Sequence, residues 1–191
     1  MRLNLGCGSS KMQGWVNVDK IAASNPDQVV DLEALPWPWP DGSADEVLLS
    51  HVLEHLGART EIYLGIIKEL YRVCRNGATV TVVVPHPRHD FFLDDPTHVR
   101  AITPDGLQMF SQKENREWIA KGAANTPLGV YCGVDFAIVS VNDRLDEHWL
   151  DRCRRNEIKP DELNFAARHY NNVVAQTTIV LKAIKPAGSE V

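Results

Sequence analysis

Leu3-Asn4-Leu5-Gly6-Cys7-Gly8, followed at residues 15–19 by Trp-Val-Asn-Val-Asp, is the stretch on which the fold turns. A short apolar strand runs straight into a glycine pair. Glycine there permits a tight turn and lets the backbone approach a ligand closely. By itself G-x-G carries little weight. Asp19, however, stands thirteen positions after Gly6 at the end of a second strand-like segment. A carboxylate at that tip can accept hydrogen bonds from both hydroxyls of a ribose. Asp31-Leu32 repeats the arrangement at a third tip, where the acid can accept from an adenine amino group and the leucine can pack on the ring. Singly, each acid reads as a solvated loop residue. Jointly, they line one crevice outside the carboxyl ends of a sheet, where open α/β sheets bind ligands.

Outward from this stretch, hydrophobic patterning predicts seven strands: 3–5, 15–18, 29–32, 46–50, 79–84, 135–141 and 175–184. The fifth is dense in β-branched residues with little alternation, as in a parallel strand buried on both faces. The last alternates more, as an antiparallel edge pair would. Between strands four and five, Tyr63, Ile66, Ile67, Leu70, Tyr71 and Cys74 fall on one helical face. Thr60 suits the N-cap of that helix and Gly77 its left-handed terminus. Further helices are expected from Thr103-Pro104, within 143–155 and around 160–169. The connections before strand four are too short for ordinary crossover helices. They must be loops or single turns, which leaves one sheet face thinly covered unless later helices or a second copy of the chain cover it.

With 191 residues, 44% hydrophobic and 24% charged, the composition suits one soluble domain. A net charge of −5 argues against a nucleic-acid surface, and the basic run Arg152–Arg155 reads as a solvated helix face. The four cysteines form no C-x-x-C pair and read as reduced thiols of a cytoplasmic protein. Neither a secretory leader nor a membrane span is expected.

Two cofactors fit such a crevice. NAD needs its pyrophosphate on a helix N-terminus through G-x-G-x-x-G. Lys11 occupies the third glycine position, and there is little room for a helix before strand two. A nucleoside without phosphate fits better. Together LNLGCG, GWVNVD, VVDLEALPWPWPDGSADEVLLSHVLEHL and ELYRVCRNGATVTVVVP resemble the class I S-adenosylmethionine-dependent methyltransferases. The resemblance covers about residues 2 to 85, with Ala78 where the family has a second glycine. It implies a Rossmann-like, mostly parallel seven-stranded α/β sheet in the order 3-2-1-4-5-7-6, with an antiparallel last strand and reduced N-terminal helices. It implies S-adenosylmethionine as cofactor, held by Asn4, Gly6, Cys7, Gly8, Asp19, Asp31 and Leu32, with Ser50 and His51 near the sulfonium.

His51-Val52-Leu53-Glu54-His55 also spells H-x-x-E-H, a zinc-peptidase signature. A zinc hydrolase would need both histidines on one helix and a third ligand such as Glu114 or Glu117. His51 is expected at a strand-to-loop exit, which spoils that geometry, so no metal is assigned.

Beyond strand five, Pro85-His86-Pro87-Arg88-His89-Asp90 and Asp94-Asp95-Pro96-Thr97-His98-Val99-Arg100 crowd histidines, acids and arginines beside the expected crevice. A D-P-T-H-x-R stretch after this strand also occurs in some small methyltransferase-like proteins of bacteria and phages. His86, His89 and His98 are candidate general bases, with Asp90 or Asp95 to orient one, and Arg88 or Arg100 could clamp an anionic substrate group. A metal site built from the same side chains competes with this reading, as does a polar loop whose side chains cap turns. Trp37, Trp39, Trp118 and Trp149 read as packing residues.

The sequence thus predicts a single methyltransferase domain spanning 1–191, with 86–130 as a substrate or lid insertion. The expected activity is methyl transfer to an oxygen or nitrogen nucleophile of a small molecule, glycan or protein rather than nucleic acid. The alternative is a non-catalytic cofactor-binding module with an assembly or regulatory role. Almost nothing precedes Arg2 to cover the cofactor, which is expected to be solvent-open or covered by 86–130 or by the partner in a homodimer.

Overall fold

The computed structural model describes residues 1–186. Strands β1 (Arg2–Leu5), β2 (Val16–Asp19), β3 (Gln28–Val29), β4 (Ala44–Ser50), β5 (Cys74–Pro85), β6 (Phe136–Leu145) and β7 (Val174–Ala183) form one sheet. Their order is 3-2-1-4-5-7-6. β1 to β5 pair in parallel, and β7 runs antiparallel to both β5 and β6. The topology is the one the family resemblance implies.

The helix after β4, α1 (Thr60–Val73), buries Tyr63, Ile66, Ile67, Leu70 and Val73. Both of its predicted ends shift. Arg59, not Thr60, is the N-cap, and the chain turns extended at Cys74. Gly77 therefore does not terminate the helix. Its φ of +76° serves the start of β5, where four residues (75–78) lie opposite one of β4 (residue 45). A residue free to turn left-handed absorbs the excess chain.

The helix-free connection from β1 to β2 is held by side chains. Buried Asn17 accepts from Met12 N (2.7 Å) and donates to Met12 O, Trp15 O and Asp27. Asn4 donates to Ser10 O and to Asn17 Oδ1, both at 3.0 Å. These bonds satisfy loop backbone groups that a helix would have satisfied internally. They also fix the angle at which Gly6–Gly8 leaves β1.

Trp37 and Trp39 are almost fully buried and join Leu3, Leu5, Val18 and α1 in one core cluster. They supply apolar cover in a region with few helices. Glu69 and Arg72 of α1 bind the intervening backbone: Glu69 accepts from Trp37 N (2.7 Å), and Arg72 donates to Trp37 O and Trp39 O.

β3 is shorter than predicted. Asp31 Oδ1 accepts from Glu33 N at 2.9 Å, the turn an aspartate makes with its own downstream backbone. The chain therefore leaves the sheet before Asp31 and Leu32. Between β5 and β6 lie α2 (Asp90–Leu93), α3 (Pro104–Gln108), α4 (Gln112–Ala120) and α5 (Leu128–Cys132); α6 (Glu147–Arg154) and α7 (Pro160–His169) separate β6 from β7. All four cysteines are free. Among the described residues, no helix is long and apolar enough to cross a membrane.

Candidate functional site

A cavity of about 390 Å³ opens at the carboxyl ends of β1, β2 and β4. Gly6, Asp19, Lys20, Val30, Asp31 and Leu32 form one wall; His51, Val52, His55, Leu56 and Thr97 form the other. The three strand tips that the sequence placed around one ligand do converge.

Gly6 has a φ of +66° and lies so close to Val52 that a Cβ there would overlap the valine methyls. Asp19 is already oriented: Oδ2 accepts from Gly8 N and Oδ1 from Ile21 N, each at 2.8 Å. A carboxylate has about four lone-pair sites, so two remain for ribose hydroxyls. Leu32 is buried at the cavity wall, and its carbonyl accepts from the Trp37 indole at 3.0 Å.

His51 follows the last residue of β4 with a φ of +55°, an uncommon conformation for a residue with a side chain. Such strain tends to gather at functional sites. Its amide donates to Val83 O (2.8 Å), Nε2 lies 3.0 Å from Gln176 Oε1, and Nδ1 lies 3.5 Å from Glu54 Oε1. The contact with the Glu54 carboxylate raises the imidazole pKa above its ordinary value, and burial opposes that rise. Glu54 itself is fully buried in the 3₁₀ turn Leu53–His55.

Four predicted cofactor residues stand outside the cavity lining. Asn4 braces the loop, Gly8 supports Asp19 through its amide, and Ser50 is an exposed end residue of β4. Cys7 is buried and its amide donates to Val18 O; burial pushes its thiol pKa up.

The predicted bases scatter. His86 lines a separate cavity of about 270 Å³ with Asp105, Asp143 and Thr177, and burial lowers its pKa. His89 is buried, caps α2 by accepting from Phe91 N, and reaches Asp146 at 3.3 Å. His98 stacks on Phe92, with Nδ1 2.8 Å from Phe92 O. Asp95 accepts from both the amide and the hydroxyl of Thr97, bonds that lower its pKa. Arg88 and Arg100 donate to backbone carbonyls of residues 168 and 57, and among the described residues the buried Arg100 Nε has no hydrogen-bond partner. The residues that sequence reasoning missed at the cavity are Val52, His55, Leu56, Thr97, Lys20 and Val30. HVLEHL held a signal for the first three, since a glycine hinge needs a partner wall.

A mostly parallel sheet in the order 3-2-1-4-5-7-6, with an antiparallel last strand, is the Rossmann-like fold of the methyltransferases. Residues 3–82 match the family model of the methyltransferase domain. A solved structure of an S-adenosylmethionine-dependent methyltransferase from Archaeoglobus fulgidus superposes with a TM-score of 0.63 at 18% identity, over 95% of this chain and 85% of that one. One from Methanosarcina mazei gives 0.56 at 14% identity, over 97% and 92%. The [4+2]-cyclase SpnF gives 0.52 at 14% identity, over 97% and 75%. At these identities the likeness is one of fold, and a fold hosts more than one chemistry. No curated protein matches by sequence.

Proposed function

We propose that the chain transfers the methyl group of S-adenosylmethionine to an oxygen or nitrogen nucleophile presented beside His51. The convergence of Gly6, Asp19, Asp31, Leu32 and His51 on one cavity carries this reading. Asp19 takes the ribose, Asp31 and Leu32 take the adenine, and the glycine turn admits the methionine part. The reacting sulfonium then lies toward the β4 tip, where His51 stands.

Methyl transfer is an in-line displacement: the acceptor's lone pair forms the new bond to carbon as the carbon–sulfur bond breaks and its pair returns to sulfur. Positioning supplies much of the rate. The acceptor's proton passes to His51, and Glu54 behind the ring stabilises the imidazolium until solvent takes the proton. His51 is half exposed, which gives that proton an exit. His98 and Asp95 act indirectly, through Thr97 and His55 at the cavity wall, while His86 faces the neighbouring hollow from which an acceptor can approach. The acidic chain favours a small molecule, glycan or protein as acceptor.

Methyl-labelled S-adenosylmethionine, offered with fractionated cell extract, tests this reading. The wild type should label an acceptor, and His51→Gln should slow labelling by about 10²–10⁴-fold with cofactor affinity nearly unchanged. An equally fast His51→Gln removes His51 from the chemistry. Full cofactor affinity without any labelling supports a binding module instead.

A further inference from the structure

Glu54 has more unsatisfied bonding capacity than the proposed reaction uses. It is 0% exposed, and among the described residues neither carboxylate oxygen has a hydrogen-bond partner. His51 Nδ1, at 3.5 Å, makes an ion-pair contact only. A carboxylate taken out of water in this state is costly unless a cation or proton meets it. A Glu54 oxygen, one ring nitrogen of His55 and one of His98 lie within 4.8 Å of one another.

Among the described residues, the bonds around both rings leave the same nitrogen without a hydrogen bond; His98 Nε2 meets only the Asp95 carboxylate, 3.9 Å away. His98 Nδ1 faces the Phe92 carbonyl at 2.8 Å, and a carbonyl can only accept. Nδ1 therefore carries the proton, and in the neutral ring Nε2 keeps a bare lone pair. Thr97 gives its single hydroxyl proton to Asp95 Oδ1 at 2.6 Å. It must then accept from His55 Nδ1 at 2.9 Å, which leaves His55 Nε2 bare as well. Metal-binding histidines ordinarily donate their other ring N–H to such an acceptor. The two chain segments are also joined at this point: Val99 N and Arg100 N both donate to Glu54 O, at 2.9 and 3.2 Å.

We propose that Glu54, His55 and His98 bind one divalent transition-metal ion at the wall of the cofactor cavity. Two imidazoles and one carboxylate suit Zn²⁺, whereas Mg²⁺ and Ca²⁺ prefer all-oxygen sites. At zinc–ligand distances of about 2.0–2.2 Å, tetrahedral ligand atoms stand roughly 3.3–3.5 Å apart, so the three side chains draw in by about an ångström. This set differs from that of the H-x-x-E-H peptidases, because His51 turns away to Gln176 and His98 takes its place. His55 and Thr97 line the cavity, so a remaining coordination position can open toward it. There the ion would lower the pKa of an acceptor hydroxyl and make it a nucleophile near neutral pH. That role rests on the proposed methyl transfer and narrows the acceptor to oxygen; the metal site itself does not depend on it.

The full chain, purified without a metal-affinity tag and stripped with chelator, is titrated calorimetrically with zinc sulfate. One equivalent should bind, and His98→Gln and His55→Asn should each weaken binding at least a hundredfold. Circular dichroism should confirm that both variants are folded. Co²⁺ should give visible absorption of low coordination number in the wild type alone. Zinc binding that is absent, or equal in wild type and both folded variants, overturns the site. Loss of S-adenosylhomocysteine binding by the wild type, with zinc retained, overturns the methyltransferase reading and leaves the metal site standing.

Discussion

Replacing Gly6 by alanine separates the two constraints on the glycine turn. The first is backbone: at φ +66°, an L-residue in the left-handed region costs roughly 1–2 kcal/mol. The second is steric. The new methyl would overlap Val52 Cγ2 and lie 2.9 Å from Cγ1 and 3.2 Å from Cβ. Val52 is only 8% exposed, and as a β-branched residue it has few rotamers to escape into. Overpacking of this kind costs about 1–3 kcal/mol. Gly6→Ala should therefore destabilise the protein by about 2–5 kcal/mol. Val52→Ala removes both offending methyls but not the backbone strain. In a double-mutant cycle followed by urea unfolding, the pair should show a favourable coupling of about 1–3 kcal/mol. Because Gly6 and Val52 face the same cavity, cofactor affinity should fall in the single Gly6 variant and recover in part in the pair. Additivity within about 0.5 kcal/mol, or a Gly6→Ala cost below about 1 kcal/mol, would refute the close approach on which the site's shape depends.

Asp19→Asn keeps the side chain's shape but removes its charge and one acceptor; S-adenosylhomocysteine affinity should fall by about 10–100-fold, the size of a lost charge-assisted bond, measured by calorimetry. Glu69 is held below its ordinary pKa, first by its hydrogen bonds with Arg72. A depressed folded pKa contributes stability above the unfolded carboxylate pKa and loses it as pH falls through the folded value. The melting-temperature gap between wild type and Glu69→Gln should thus be widest near neutral pH and close in acid, and a pH-independent gap would contradict that assignment. Thr97→Val, which removes the hydroxyl between His55 and Asp95, should lower zinc affinity by about 10–100-fold without touching a ligand.

The strands and their tip acids were legible because strand period, glycine turns and acids are local signals that agree with one another, whereas the sheet order came from the family resemblance. α7 could be read from Pro160 at the first helical position and an apolar face that ends at His169. α4 went unread although Ser111 caps it by accepting from Glu114 N, and Ser-x-x-Glu is a known start signal. β3 was overextended because Val29 and Val30 favour a strand while Asp31 makes a turn with its own backbone. Illegible from the sequence was the burial of Glu54. It depends on residues 97–100 folding back over the turn after β4, a non-local event that no window around HVLEH contains. The same event moves His98 from candidate base to a neighbour of Glu54. The histidine next to the tip of β4 was read correctly as a strand exit, since its left-handed backbone is what keeps it off the following turn.

A crystal structure with S-adenosylhomocysteine bound would examine the proposed adenosine site most directly. It should show both ribose hydroxyls within hydrogen-bond distance of Asp19, the adenine between Asp31 and Leu32, and the sulfur toward His51. Density for the nucleoside anywhere else, or a ribose that does not touch Asp19, would contradict the assignment.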